Sequence, residues 1–61
     1  MNYFYQTKNG LYQIEHDGYY TAPWVIWKYD LYTDSYTIYI ASYKTLKGAQ
    51  QYLIDRGGKR V

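Results

Sequence analysis

Residues 2–16 read NYFYQTKNGLYQIEH, two alternating stretches on either side of Asn9-Gly10, and that pattern decides the class of fold. A side-chain period of two puts Tyr3 and Tyr5 on one side of a strand and Phe4 on the other. Asn-Gly is the strongest short hairpin signal, because both residues accept the positive φ of a type I′ turn. Strands are therefore expected over residues 2–7 and 11–16. A turn centred on Asn9-Gly10 sets Thr7 opposite Tyr12, Tyr5 opposite Ile14 and Tyr3 opposite His16. Opposed residues share a face, so Tyr3, Tyr5, Tyr12 and Ile14 gather on one side and Phe4, Gln6, Gln13 and Glu15 on the other.

Asp17-Gly18 ends this alternation, and Pro23, which cannot donate to a ladder, marks the start of the next strand. Residues 24–29, WVIWKY, are aromatic and β-branched, the composition of a strand. A polar turn over 30–35 leads to a partner strand over 36–42. Pairing Tyr29 with Tyr36 places Trp27 opposite Ile38 and Val25 opposite Ile40. Thr45 is then a helix N-cap ahead of residues 46–56, and Gly57-Gly58 is the stop. Leu46, Ala49 and Leu53, flanked by Tyr52 and Ile54, form the apolar stripe. A helix this short is marginal alone and must dock on the sheet. Lys59-Arg60-Val61 reads either as a frayed tail or as a short edge strand. The expected fold is α+β: a three- to four-stranded antiparallel sheet of two hairpins, with one C-terminal helix packed on one face.

Val25, Trp27, Ile38 and Ile40 are the branched and large apolar residues that a docking helix favours, so the helix is expected on their side. That choice leaves Phe4, Trp24, Ile26, Tyr39 and Tyr43 as an exposed aromatic surface, and such patches mark interaction sites. The competing outcome is that the sheet curls, or that the Tyr19–Ala22 segment folds over that surface.

At 61 residues with no cysteine, the chain makes one small domain (1–61) with no disulfide and no cysteine-bound structural zinc. Eleven residues are tyrosine, more aromatic surface than one small core hides, which favours a binding protein over an enzyme. Charge is uneven. Lys8 and Lys28 face Glu15, Asp17, Asp30 and Asp34 in the first half. Lys44, Lys47, Arg56, Lys59 and Arg60 face only Asp55 in the second. Those five cations would steer an acidic partner. The longest apolar run, Trp24–Trp27, is far too short to span a membrane. With no basic stretch leading into an apolar one at the start, a cytoplasmic site is expected.

Catalytic patterns are missing. His16 sits between Glu15 and Asp17, but consecutive strand residues point to opposite faces and do not converge on one reactant. Asp30 and Asp34 lack the spacing of a calcium loop. Gly57-Gly58 follows a helix instead of preceding one, so it is no phosphate cradle. No cofactor, metal or catalytic residue is expected.

Trp24-Val-Ile-Trp-Lys-Tyr-Asp30, a polar turn, and Ser42-Tyr-Lys-Thr-Leu-Lys-Gly-Ala49 through Tyr52-Leu53 resemble the hairpin-then-helix half of the AP2-like, arm-binding N-terminal domains of phage integrases. That resemblance implies DNA binding through the sheet. The family presents Arg, Lys and polar residues there, however, whereas this strand pair presents Trp24, Ile26 and Tyr39 with Lys28 alone. In size and composition the chain also resembles small tyrosine-rich proteins of phages and mobile elements, the class that includes anti-CRISPR inhibitors. This likeness implies a protein in the host cytoplasm that blocks a host nucleic-acid-processing or defence protein by occupying its surface. The alternatives are a small DNA- or RNA-binding module and a homodimeric structural protein.

Overall fold

Both expected strand pairs form hairpins. The computed structural model describes residues 2–18 and 20–61. The first hairpin joins β1 (Asn2–Thr7) to β2 (Gly10–His16), and the second joins β3 (Trp24–Asp30) to β4 (Ser35–Tyr43). Then come α1 (Leu46–Ile54) and β5 (Lys59–Arg60). The strands form one antiparallel sheet in the order β4-β3-β2-β1-β5. No helix among the described residues is long and apolar enough to cross a membrane.

The first turn is centred on Lys8-Asn9, not on Asn9-Gly10. Thr7 pairs with Gly10, Tyr5 with Tyr12 and Tyr3 with Ile14. Asn9 keeps a negative φ, while Gly10 enters the strand at φ 139°, a value that side chains disfavour. The Thr7 hydroxyl accepts the Asn9 N–H at 2.9 Å and holds the shifted turn. Partners move by two residues, a whole side-chain period, so the two faces of the hairpin survive the change.

The second hairpin departs further. Tyr29 does pair with Tyr36, but Lys28 then pairs with Ile38, Trp27 with Tyr39, Ile26 with Ala41 and Val25 with Ser42. Thr37 and Ile40 are the extra residues of two β-bulges. Trp27 therefore opposes Tyr39 and not Ile38, and Val25 opposes Ser42 and not Ile40. Each bulge re-aims the side chains that follow it.

These registers put the helix on the side opposite to the one expected. Tyr3, Ile14, Ile26 and Ala41 line up across four strands, as do His16, Trp24 and Tyr43 across three. Ala49 and Leu53 of α1 close over this side, and Tyr5, Ile14 and Ile26 complete the buried core. Two alanines, Ala41 on the sheet and Ala49 on the helix, allow close approach. On the reverse side Trp27 stands opposite Tyr39 and would hold a helix away.

Thr45 caps α1 as expected, its hydroxyl accepting the Gly48 N–H at 3.1 Å. The helix stops at Ile54, two residues short of the expected end. Gly57 turns left-handed at φ 79°. Gly58 N–H then bonds the Leu53 carbonyl at 2.8 Å and Gly57 N–H bonds the Ile54 carbonyl at 3.0 Å, a Schellman closure. Ile54, expected at the flank of the stripe, is half exposed. The chain then returns to the sheet. Lys59 pairs with Gln6 and Arg60 with Tyr5, so the tail is an edge strand beside β1.

Candidate functional site

The register divides the expected contact residues between two sides of the sheet. Ile26 is fully buried beneath α1, so the expectation that it offers a contact surface is corrected. Trp24 lies on the same side, half-buried and edge-on to Tyr3 at 6.4 Å and to His16 at 4.6 Å. Tyr43 is half-buried there too, its ring 6.0 Å from Tyr52 and packed under the first turn of α1 at Gly48. Phe4 and Tyr39 remain on the helix-free side, 36% and 58% exposed.

That open side carries aromatic residues which the sequence reading had assigned to the covered one. A row of Phe4, Gln13, Trp27 and Tyr39 crosses β1 to β4. Trp27 meets Tyr39 edge-on at 5.9 Å, and Tyr29 meets Tyr36 at 5.4 Å. Phe4 and Tyr36, on β1 and β4, also lie only 5.5 Å apart. Their strands are three spacings apart, about 14 Å in a flat sheet, more than the two side chains reaching toward each other can span, so the sheet curls toward this side, one of the competing outcomes weighed from the sequence. The two edge-to-face pairs, Trp27–Tyr39 and Tyr29–Tyr36, fix ring orientation and add about 0.5–1.5 kcal/mol each beyond area burial.

Part of the open side is roofed. Val25 points to it and is nevertheless 1% exposed, because Tyr20 from the β2–β3 connection stands above. Tyr20, Val25, Trp27, Tyr39 and Ser42 enclose a cavity of about 170 Å3. Folding-over of the Tyr19–Ala22 segment is thus met at Tyr20, while Tyr19 lies outside the described residues. The Tyr39 and Ser42 hydroxyls, 3.1 Å apart, fix the rim.

The open side is close to electrically neutral. Among the described strand residues, only Glu15 (opposite Val25) and Lys59 (opposite Gln6) bring charge to it. The basic residues lie elsewhere. Lys44 and Lys47 are exposed around the start of α1. Arg56 stacks 3.5 Å over the Tyr52 ring and donates to the Tyr52 carbonyl at 2.9 Å. Arg60 stacks 4.4 Å from the Tyr3 ring. Two of the five expected steering cations therefore also clamp aromatic rings on the helix side. No group of three or more metal-ligating side chains comes together among the described residues.

One ionisable group is visibly perturbed. The Tyr29 hydroxyl donates to the Asp34 carboxylate. That bond, followed by burial and by the nearby negative charge, raises its pKa above the ordinary 10.0. The group fastens the β3–β4 loop.

Compared with protein-family models, with curated proteins and with solved structures, the chain matches none.

Proposed function

We propose that this chain is a non-catalytic binding protein that holds another protein against its helix-free sheet face, with Phe4, Trp27 and Tyr39 as the principal contacts and Tyr20 at the rim. The observation that carries this reading is a sheet face that α1 does not cover, roofed only in part by Tyr20, on which large rings are held by edge-to-face and tilted ring pairs. Rigid aromatic side chains give up little conformational entropy on binding and dominate interface energetics. The near-neutral charge of the face favours a protein surface over a phosphate backbone, which calls for rows of cations. Size and tyrosine content favour the phage-type form of the reading, in which the target is a host nucleic-acid-processing or defence protein. Lys44 and Lys47 would then accelerate encounter with an acidic target.

Immobilised protein exposed to nuclease-treated bacterial lysate tests this directly. Wild type should capture a discrete protein, and Phe4→Ala and Tyr39→Ala should lose it while keeping the wild-type circular dichroism spectrum. Capture retained by both variants would refute the face assignment. Capture abolished by nuclease would transfer the reading to nucleic-acid binding.

A further inference from the structure

The small cavity beneath Tyr20 has walls of a particular chemistry. Trp27 and Tyr39 stand at 78° to one another with ring centroids 5.9 Å apart, and both line it together with Tyr20, Val25 and Ser42. Rings that meet in a T form an inside corner, and a π face of each ring walls that corner. Tyr20 adds a third aromatic side chain above it, and Val25, 1% exposed, is the floor. Aromatic faces carry partial negative charge, so a group held in this corner meets that charge from more than one side.

The cage is assembled before a ligand arrives. The Tyr39 and Ser42 hydroxyls hold each other at 3.1 Å. Tyr20 N–H donates to the Asp17 carbonyl at 3.2 Å, and Asp17 N–H donates to the Pro23 carbonyl at 2.8 Å, which closes the loop that carries the Tyr20 ring. Groups fixed beforehand lose little entropy on binding. The volume of about 170 Å3 suits a compact guest, since an apolar cavity of about 150 Å3 accepts benzene. Charge favours one sign. Of the described strand residues, only Glu15 and the distant Lys59 bring charge to this side, and Glu15 pairs with Val25, the floor residue. Asp17 and Lys44, in the flanking segments, offset one another. The remaining carboxylate attracts a cation to this corner of the sheet.

We infer that this cavity binds a quaternary ammonium group of trimethylammonium size. Ring faces attract such cations, and desolvation in a cage strengthens the attraction. A primary ammonium brings three N–H donors and a guanidinium brings five, yet the Tyr39 and Ser42 hydroxyls are already engaged with each other. A trimethylammonium group has no N–H to satisfy, and its methyls pack on Val25 and the rings. The group belongs either to a small free cation or to a trimethylated lysine of a protein. The cavity opens on the face proposed for protein contact, but the inference does not rest on that use.

Titration with choline, followed by nuclear magnetic resonance, tests the inference. The Trp27 indole signal should saturate with a Kd of about 1 mM, and ring currents should move the choline methyl signal upfield. The neutral alcohol 3,3-dimethyl-1-butanol has the same shape, with carbon in place of the charged nitrogen. It should bind at least about tenfold more weakly. Tyr20→Leu and Tyr39→Leu keep apolar bulk but remove a ring face, and each should raise the Kd for choline roughly tenfold. Both side chains are more than half exposed, so circular dichroism should stay unchanged. Tyr39→Phe, which keeps the ring, should retain most of the affinity. A trimethyllysine peptide bound about tenfold more tightly than choline supports a protein source, and equal affinities support a free cation. Equal binding of choline and the alcohol overturns the inference. So does the absence of binding at about 0.1 M choline, or affinity unchanged in both leucine variants. No partner protein enters this titration, so its failure leaves the lysate capture test standing.

Discussion

Replacing Ile26 and Tyr39 separately by alanine tests the face assignment, on which the functional reading depends. A chain of 61 residues has about 3–9 kcal/mol of stability, at about 0.05–0.15 kcal/mol per residue. Ile26 has no exposure and sits in the row between Ile14 and Ala41, under the helix. Neighbours on both sides limit collapse into the vacated space, so Ile26→Ala should cost about 3–4 kcal/mol, within the usual range for such truncations. Tyr39 keeps 58% of its surface in water. Its removal forfeits the edge contact with Trp27 and an exposed hydroxyl bond to Ser42, about 1 kcal/mol together. With a urea slope of about 1 kcal/mol per molar for so small a chain, the unfolding midpoint should fall by ~3–4 M for Ile26→Ala and ~1 M for Tyr39→Ala. Urea titration followed by circular dichroism measures both. Equal shifts, or a larger one for Tyr39, would refute the argument that Ile26 is core and Tyr39 is surface.

Three further outcomes follow from local geometry. Gly58→Ala would place a Cβ 2.6 Å from the Leu53 carbonyl oxygen, a backbone atom at the end of α1 that cannot swing aside. It should cost about 2 kcal/mol and lower the melting temperature measured by calorimetry. Thr45→Ala removes the acceptor for Gly48 N–H and should cost about 1 kcal/mol, whereas Thr45→Ser should retain most of it. Tyr29 has a raised pKa in the fold, chiefly from its bond to Asp34, so the folded state holds this proton more tightly than the unfolded one. Its contribution is full below 10.0 and is lost as pH climbs through the raised folded value. Tyr29→Phe should remove a component that titrates above 10.0 from an ultraviolet titration of the tyrosines and flatten the alkaline loss of stability.

Much of the local structure was legible because its determinants lie within a few residues. Alternation, Pro23, the Thr45 cap and Gly57-Gly58 announced four strands and a helix. The alternative of a short edge strand at Lys59-Arg60 is the one realised. What failed was subtler. Asn9-Gly10 is a hairpin signal, but Thr7 offered a competing hydroxyl, and the turn moved back by one residue. The bulges at Thr37 and Ile40 have no mark in the sequence, since an uninterrupted run of strand formers reads the same with or without an extra residue. Of the five aromatic or apolar contact residues expected, Phe4 and Tyr39 lie on the open side. Trp24, Ile26 and Tyr43 lie beneath or beside the helix.

The sequence by itself determined which residues share a side within β1, β2 and β3, which segments form strands and helix, and that aromatic side chains would outnumber the places in one small core. These depend on backbone period and on capping chemistry, which act over short distances. Only the tertiary structure decided which side the helix takes. That choice rests on the parity between β2 and β3, joined by an irregular segment over 17–23 and not by a two-residue turn, and on two bulges that re-aim β4. Neither is encoded locally. Both are settled when Ile14, Ile26 and Ala41 align into a row shallow enough for Ala49 and Leu53 to pack upon, leaving the rings of Trp27, Tyr36 and Tyr39 on the opposite side.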